Sequence, residues 1–204
     1  MLYVNVGDYK NVWDELIRDI PQMRELATEH FDNWKDTKAF ATKALSASQI
    51  NNSDVVTDNN RDDNSKNITA DNSSEDTSDN ITGIHGFYHK NIFEAVYCTN
   101  LLMRSADVLV TKPSELAFYP VPKLFIKRVG GHEQWGAVHS AEIGDGTLEC
   151  RDIPHTLQMI KLFMEDDTYI IDMCKNIKKN KQMGIYNGAY EAVKLAVNMK
   201  KSDI

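Results

Sequence analysis

Between Asp107 and Glu133 the chain reads DVLVTKPSELAFYPVPKLFIKRVGGHE. Two short apolar runs, Val108–Val110 and Leu124–Ile126, each give way at once to residues able to bind charge. After the first come Thr111, Lys112, Pro113, Ser114 and Glu115; after the second come Lys127, Arg128, Gly130, Gly131, His132, Glu133 and Gln134. A short apolar run bounded by turn residues predicts a buried strand. In open parallel α/β sheets, ligands bind outside the carboxyl ends of the strands. Backbone N–H groups at the starts of the following helices face an anion there, and glycines let a ligand come close to the backbone. A carboxylate such as Glu115 suits two vicinal hydroxyls, as on a ribose. Gly7-Asp8-Tyr9 also follows a predicted strand, and the three loops together suit a nucleotide diphosphate.

These loops require strands in register and helices that return the chain. LYVNVG predicts a first strand, and NVWDELIRDIPQMRELA a helix with Val12, Leu16, Ile17 and Ile20 at helical spacing. HFDNW reads as a short strand and KDTKAFATKAL as a helix. ITGIHGFY reads as a strand or strand end, IFEAVYCTNLLMRSA as a helix with the apolar Phe93, Val96, Tyr97, Leu101 and Leu102 on one side. DVLVT, PKLFIKR and GTLECR are further strands, SELAFY a short helix capped by Ser114, and HEQWGAVHSAEIG a helix ending near Gly144. IPHTLQMIKLFMED is a helix with Pro154 in its first turn, where proline is tolerated. Two more helices follow, near 167–178 and 184–200. Alternating strands and helices predict an α/β, Rossmann-like parallel sheet with helices on both faces.

One segment does not fit that pattern. Ser46–Asn80 is almost all Asn, Asp, Ser and Thr, and its seven Asp and one Glu against Arg61 and Lys66 carry −6 of the chain's formal −7. Such a composition cannot bury enough apolar surface to offset the entropy of ordering, so a disordered insert is predicted. The domain then consists of 1–45 and 81–204, with 46–80 between its two parts. Asn-x-Ser/Thr patterns at Asn51, Asn67, Asn72 and Asn80 arise by chance in such a tract. The acidic balance therefore says nothing about a basic partner, and no clustered basic face argues for nucleic acid. No run of some eighteen apolar residues predicts a membrane span. The N-terminus has no signal-peptide pattern, and three widely spaced cysteines read as reduced thiols, which together give a cytoplasmic expectation. The cysteines are expected to be buried small hydrophobes.

SADVLVTKPSELAFYPVPKLFIKRVGGHEQWGA resembles the nucleotide-sugar half of GT-B glycosyltransferases. The types it is most similar to are the peptidoglycan lipid N-acetylglucosaminyltransferase and the diacylglycerol glycosyltransferases. Ser105-Ala106-Asp107-Val108 matches the family's motif before the strand, and Thr111 and Lys112 match its strand end. The resemblance implies that Glu115 binds the nucleotide ribose, although the family's glycine-rich turn is shortened here to Pro113-Ser114. It places His132-Glu133-Gln134-Trp135 where the family touches the donor sugar, with Gly136 in place of an asparagine. GIHGFYHKNIFEAV resembles the segment whose backbone contacts the uracil, and LYVNVGDYKNVWDELI the first strand, glycine loop and helix. The implied nucleotide site is Gly7, Gly86, Phe87, Tyr88, Thr111, Lys112, Ser114 and Glu115, and the donor-sugar site Gly131, His132, Glu133 and Gln134. The implied ligand is a UDP-sugar, a substrate rather than a cofactor, and no metal or other cofactor is called for. GT-B enzymes carry the acceptor and usually the base on an N-terminal domain, so an acceptor-domain partner is expected.

Plainer readings stand beside these. Glu115 also suits an early helical position for its dipole alone. Lys112 suits a solvated strand end, and His132 and Glu133 an exposed first turn. Lys178-Lys179-Asn180-Lys181 reads most simply as a solvated helix end, with peripheral membrane contact as the other reading. Gly7-Asp8-Tyr9-Lys10 lacks the Gly-x-Gly-x-x-Gly fingerprint and no Gly-Lys-Ser/Thr occurs, which argues against dinucleotide and P-loop enzymes. The other function class is a non-catalytic nucleotide-binding or interaction module on the same scaffold.

Overall fold

The computed structural model describes residues 1–21, 33–53 and 83–202, with backbone alone at 48–53, 115 and 200–202. The chain divides into two compact units, Met1–Ser105 and Ala106–Ile204. The boundary therefore falls between the helix IFEAVYCTNLL and the strand that follows it, not at the insert.

The first unit holds β1 (Leu2–Asn5) parallel to β2 (Ile84–Phe87), with Leu2 opposite Ile84 and Asn5 opposite Phe87. Its helices are α1 (Lys10–Asp19), α2 (Trp34–Ser53) and α3 (Ile92–Leu102). Alternation along the strands assigns the faces. Val4, Val6 and Ile84 pack with Ile17 and Ile20 around Trp13 and Tyr88, whose rings stack 6.2 Å apart. Tyr3 and Phe87 point the other way, into a cluster with Phe40 and Ala41 of α2 and Cys98 and Leu102 of α3. Asn5 lies on that face too and donates to the Ala95 carbonyl and the Thr99 hydroxyl of α3. α1 ends at Asp19, short of the helix read through NVWDELIRDIPQMRELA, because Ile20, extended ahead of Pro21, does not continue it.

Further expectations in this unit change. α1 turns Trp13, fully buried, into the core, while Val12 is exposed. α3 buries Ala95, Cys98 and Leu102 rather than Phe93, Val96 and Tyr97, which are exposed. The small inner residues let α3 lie close against β1, where Asn5 reaches its backbone; apolarity alone pointed to the wrong side. The strand read in HFDNW is not one at its described end: Asn33 has no regular structure and Trp34 starts α2, while 30–32 lie outside the described residues. α2 also runs through Ser53, so the segment read as an insert from Ser46 opens as helix; 54–80 lies outside the described residues.

The second unit is built on β3 (Leu109–Thr111) parallel to β4 (Lys123–Phe125). The predicted strand GTLECR runs beside β4 as an irregular edge. Gly146 bridges Lys123, and Thr147 and Cys150 donate to the carbonyls of Lys123 and Phe125. The Thr147 hydroxyl, not a backbone carbonyl, accepts from Phe125 N–H, which interrupts a regular ladder. Helices α4 (Gln134–Ile143), α5 (Ile153–Glu165), α6 (Thr168–Gln182) and α7 (Gly188–Ser202) follow. Phe125 packs with Ala117 and with Ala137 of α4; Leu124, on the opposite face, packs with Cys150, Phe163 of α5 and Met173 of α6. Gly144 takes the left-handed conformation (φ 73°) just past α4. Asp152 caps α5 by accepting from His155 N–H at 2.8 Å, with Pro154 in the first turn.

The chain is thus α/β with parallel strands and helices on both faces of each pair, but the described strands form two separate two-stranded sheets rather than one. Hydropathy leaves open which strands are neighbours, and it misjudges single positions: Val110 of β3, read as buried, is exposed, while Lys123 of β4 is fully buried. Cys98 and Cys150 are buried as expected, and burial pushes the Cys98 thiol up to about 12; Cys174 is exposed, correcting the expectation for it. No helix among the described residues is long and apolar enough to cross a membrane.

Candidate functional site

The loops after β3 and β4 lie side by side at the carboxyl end of the second unit's strand pair. β3 ends at Thr111, whose carbonyl accepts from Ile126 N–H, so the pairing extends one residue beyond β4. The chain then turns sharply: Ser114 N–H donates to the Lys112 carbonyl at 2.8 Å, and Pro113 is fully buried beneath the turn. A 3-10 helix, Glu115–Phe118, follows; Ser114 precedes it without making the side-chain cap expected of it. The side chain of Glu115 lies outside the described residues.

After β4 the backbone passes through Arg128 and Val129 into a 3-10 turn, Gly131–Glu133, that leads into α4. Glu133 organises this loop. Its Oε2 accepts from Val129 N–H at 2.8 Å and Gly130 N–H at 3.2 Å, the reach-back half of a capping box. Its Oε1 accepts from Lys112 Nζ at 2.7 Å, joining the two loops. The Lys112 bond first, then the two backbone N–H groups, hold the Glu133 carboxyl down at about 2. The Glu133 side chain is 6% exposed and that of Lys112 45% exposed, so the cation is presented at the surface and the anion is not.

Neighbouring contacts fix the rest. Arg128 binds Glu149 through its guanidinium at 3.1 Å, and through its own N–H at 3.0 Å; the same guanidinium donates to Gln134 Oε1 at 2.9 Å. Gln134 therefore braces the loop rather than lying apart from it. The His132 ring folds over Gly130, where an added Cβ would come within 2.7 Å of it. At Gly131 an added Cβ would meet nothing within 4 Å, so the approach there is open. Gly136 is a different case. A Cβ there would stand 2.9 Å from the Pro113 carbonyl oxygen, so glycine lets α4 seat against the β3 loop.

The remaining predicted residues lie in the first unit. Gly7, in the left-handed conformation (φ 65°), ends β1; it donates to Asn5 Oδ1 and accepts from His89 N–H, both at 3.0 Å. Gly86 and Phe87 are strand residues of β2 opposite Val4 and Asn5, and the Phe87 carbonyl accepts from Val6 N–H. The Phe87 and Tyr88 side chains belong to the core clusters on opposite faces. Thr111, Lys112, Ser114, Gly131, His132, Glu133 and Gln134 thus share the second unit, and Gly7, Gly86, Phe87 and Tyr88 the first. Among the aromatics in or beside these loops, Tyr9 and Phe118 are exposed and Tyr119 is half-buried.

Sequence reading passed over two buried polar groups. In the first unit the His89 ring, fully buried, lies 3.0 Å through Nε2 from the Thr37 hydroxyl of α2. In the second, Lys123 at the start of β4 pairs with Asp145 at 2.8 Å, both fully buried, and Tyr186 donates to the same Asp145 oxygen at 2.7 Å. Burial draws the Lys123 pKa down, opposed by Asp145, and burial with the Asp145 bond raises that of Tyr186. Lys123 sits inside an apolar run, PKLFIKR, and the only sequence signal was a lysine where a core residue was expected. Glu149 was likewise invisible until Arg128 was placed beside it.

A surface lysine over a saturated carboxylate, with an open glycine backbone beside it, can receive an anionic group. The Glu133 carboxylate, accepting three hydrogen bonds, is a brace and not a proton acceptor at neutral pH. Comparison with known proteins gives one match. The family described as a domain of unknown function (DUF6938) matches over residues 1–72 and 47–197, which takes in the strands, helices and loops just described. No curated protein sequence matches the chain, and no solved structure does. On the extent of that match, the chain belongs to the DUF6938 family.

Proposed function

We propose that this chain is the donor-binding half of a glycosyltransferase-like protein, holding a UDP-sugar at the carboxyl end of β3 and β4. What supports the reading above all is the Lys112–Glu133 bond, which makes one constellation of two strand-end loops. Parallel strand ends are where such folds take ligands, and an exposed ammonium there suits a diphosphate. Lys112 is the phosphate contact, Thr111 and Ser114 flank it, and Gly131 and His132 lie toward the sugar. Glu133 and Gln134 serve by bracing the loop. The ribose role of Glu115 rests on the resemblance to GT-B enzymes.

Transfer needs a base and an acceptor held against the anomeric carbon, and positioning alone supplies several kcal/mol of such an acceleration. With Glu133 committed to its three donors, the base comes from an acceptor-domain partner. Calorimetry of the pure chain against UDP, UDP-sugars, CDP, GDP, ADP and NAD tests the reading. UDP-type ligands are expected to bind best, and Lys112→Ala or Glu115→Ala to weaken them more than about tenfold, ~1.4 kcal/mol, with circular dichroism unchanged. UDP binding no tighter than that of CDP or ADP would remove the uracil assignment. Robust sugar transfer by the chain alone would remove the partner.

A further inference from the structure

α6 and α7 carry a charge opposite to that of the whole chain. From Thr168 to Ser202 there are seven lysines against Asp172 and Glu191, a net of +5 in a protein of formal charge −7. α6 is anchored: Met173 packs in the core, and Asn176 and Asn180 donate to the Gly144 and Ile143 carbonyls at 3.0 and 2.8 Å. That inward face leaves Lys178, Lys179 and Lys181 exposed at the helix's end. Along α7, by contrast, every residue from 188 to 199 is exposed. Yet it is apolar around more than half its circumference. Tyr190, Val193 and Val197 recur at i, i+3, i+7; Leu195 and Met199 are a turn apart; all five are at least about half exposed. Glu191, Lys194 and Asn198 form the polar stripe.

We infer that α7, with the lysine-rich end of α6, is a docking surface for an anionic lipid bilayer. A basic amphipathic helix lies in the plane of such an interface, with apolar side chains among the acyl chains and lysines at the headgroups. The occupant follows from two features. Two copies would bring two +5 segments together, so charge disfavours self-association. A protein groove takes a narrow i, i+3, i+4, i+7 seam, whereas this apolar arc is wide, and Met183 in the connection before it is exposed as well. Tyr190, exposed near the start of α7, is the residue type that sits at headgroup level. The inference does not depend on the nucleotide-sugar reading.

Sedimentation of the full chain with sucrose-loaded vesicles tests it. Vesicles of equimolar phosphatidylcholine and phosphatidylglycerol are expected to carry the protein down, and phosphatidylcholine alone to leave it in solution. Lys178→Glu, Lys179→Glu and Lys181→Glu each are expected to weaken binding at least roughly fivefold, and added salt to weaken it further. Val193→Glu with Val197→Glu, both on an exposed face, is expected to abolish binding with the helical circular dichroism retained. Equal binding to both vesicles, binding to neither, or unchanged binding by the Val193/Val197 variant would each overturn the inference. So would a concentration-dependent dimer that this variant dissolves while vesicles fail to bind, which would assign the face to a second copy.

Discussion

Two lysine–carboxylate pairs stand at opposite ends of the same strand pair. Lys112 and Glu133 meet at 2.7 Å just beyond the end of β3; Lys123 and Asp145 meet at 2.8 Å at the start of β4. In the first pair the lysine is 45% exposed and the carboxylate is saturated by backbone N–H groups. In the second both side chains are 0% exposed, Lys123 also donates to the Val121 carbonyl, and Tyr186 closes over Asp145. The same chemistry therefore does two things. At the carboxyl end it presents a cation to whatever approaches. At the amino end it ties β4 to the 3-10 turn Ile185–Asn187 that joins α6 to α7.

The comparison breaks most sharply at the sealed pair. Lys123→Met would leave Asp145 buried without its cation, and removal of one partner of a buried pair costs about 3–5 kcal/mol. Urea denaturation followed by circular dichroism should show that loss; a change in stability below about 1 kcal/mol, the scale of an exposed pair, would mean that water reaches Asp145. Tyr186→Phe is the next largest. It deprives Asp145 of one donor, while its Oδ1 already lacks a hydrogen bond. About 1–3 kcal/mol is expected, together with faster amide exchange at 183–188. Exchange that rises instead around 127–134 would place the coupling at the wrong end.

The smallest effect is expected at the exposed pair and is a matter of pH. The Glu133 carboxyl is depressed from an ordinary 4.5 to about 2 in the folded chain. A depressed carboxyl contributes stability that is complete above the unfolded pKa and is lost as pH falls through the folded one. The loop 127–134 should therefore keep its amide protection from neutral pH to about 4.5 and lose it progressively toward about 2. Glu133→Gln should flatten that profile. Protection that is already lost at pH 6 would show that Lys112 and the two N–H groups do not hold the carboxylate as described.

Much of the scaffold was legible in the sequence. Short apolar runs located the strands β1 to β4, the spacing of apolar residues located the helices, and Pro154 and Gly144 marked helix ends correctly, whereas the helix read across Ile20-Pro21 stops at Asp19. Local chemistry governs all of these, and a window of some ten residues contains it. The inner face of α3 was read wrongly because Phe93, Val96 and Tyr97 are more apolar than Ala95 and Cys98. Close approach to β1 selected the small side chains instead. The end of α2 was misplaced because Ser and Asn lower helix propensity only weakly.

In the candidate site, the sequence alone determined which residue types follow each strand: a lysine and serine after β3, two glycines, a histidine and a glutamate after β4. It also determined that the chain's acidic excess is local to one segment and that its last two helices are basic. Only the tertiary structure decided what those residues do to one another. Glu133 is spent on Lys112, Val129 and Gly130, Arg128 is matched to Glu149, Gly136 seats α4 against Pro113, and Lys123 is sealed with Asp145 and Tyr186. Each of these joins positions brought together by the return of a helix or the pairing of a strand. Hydrogen bonds act over about 3 Å, and no pattern along the chain carries that distance.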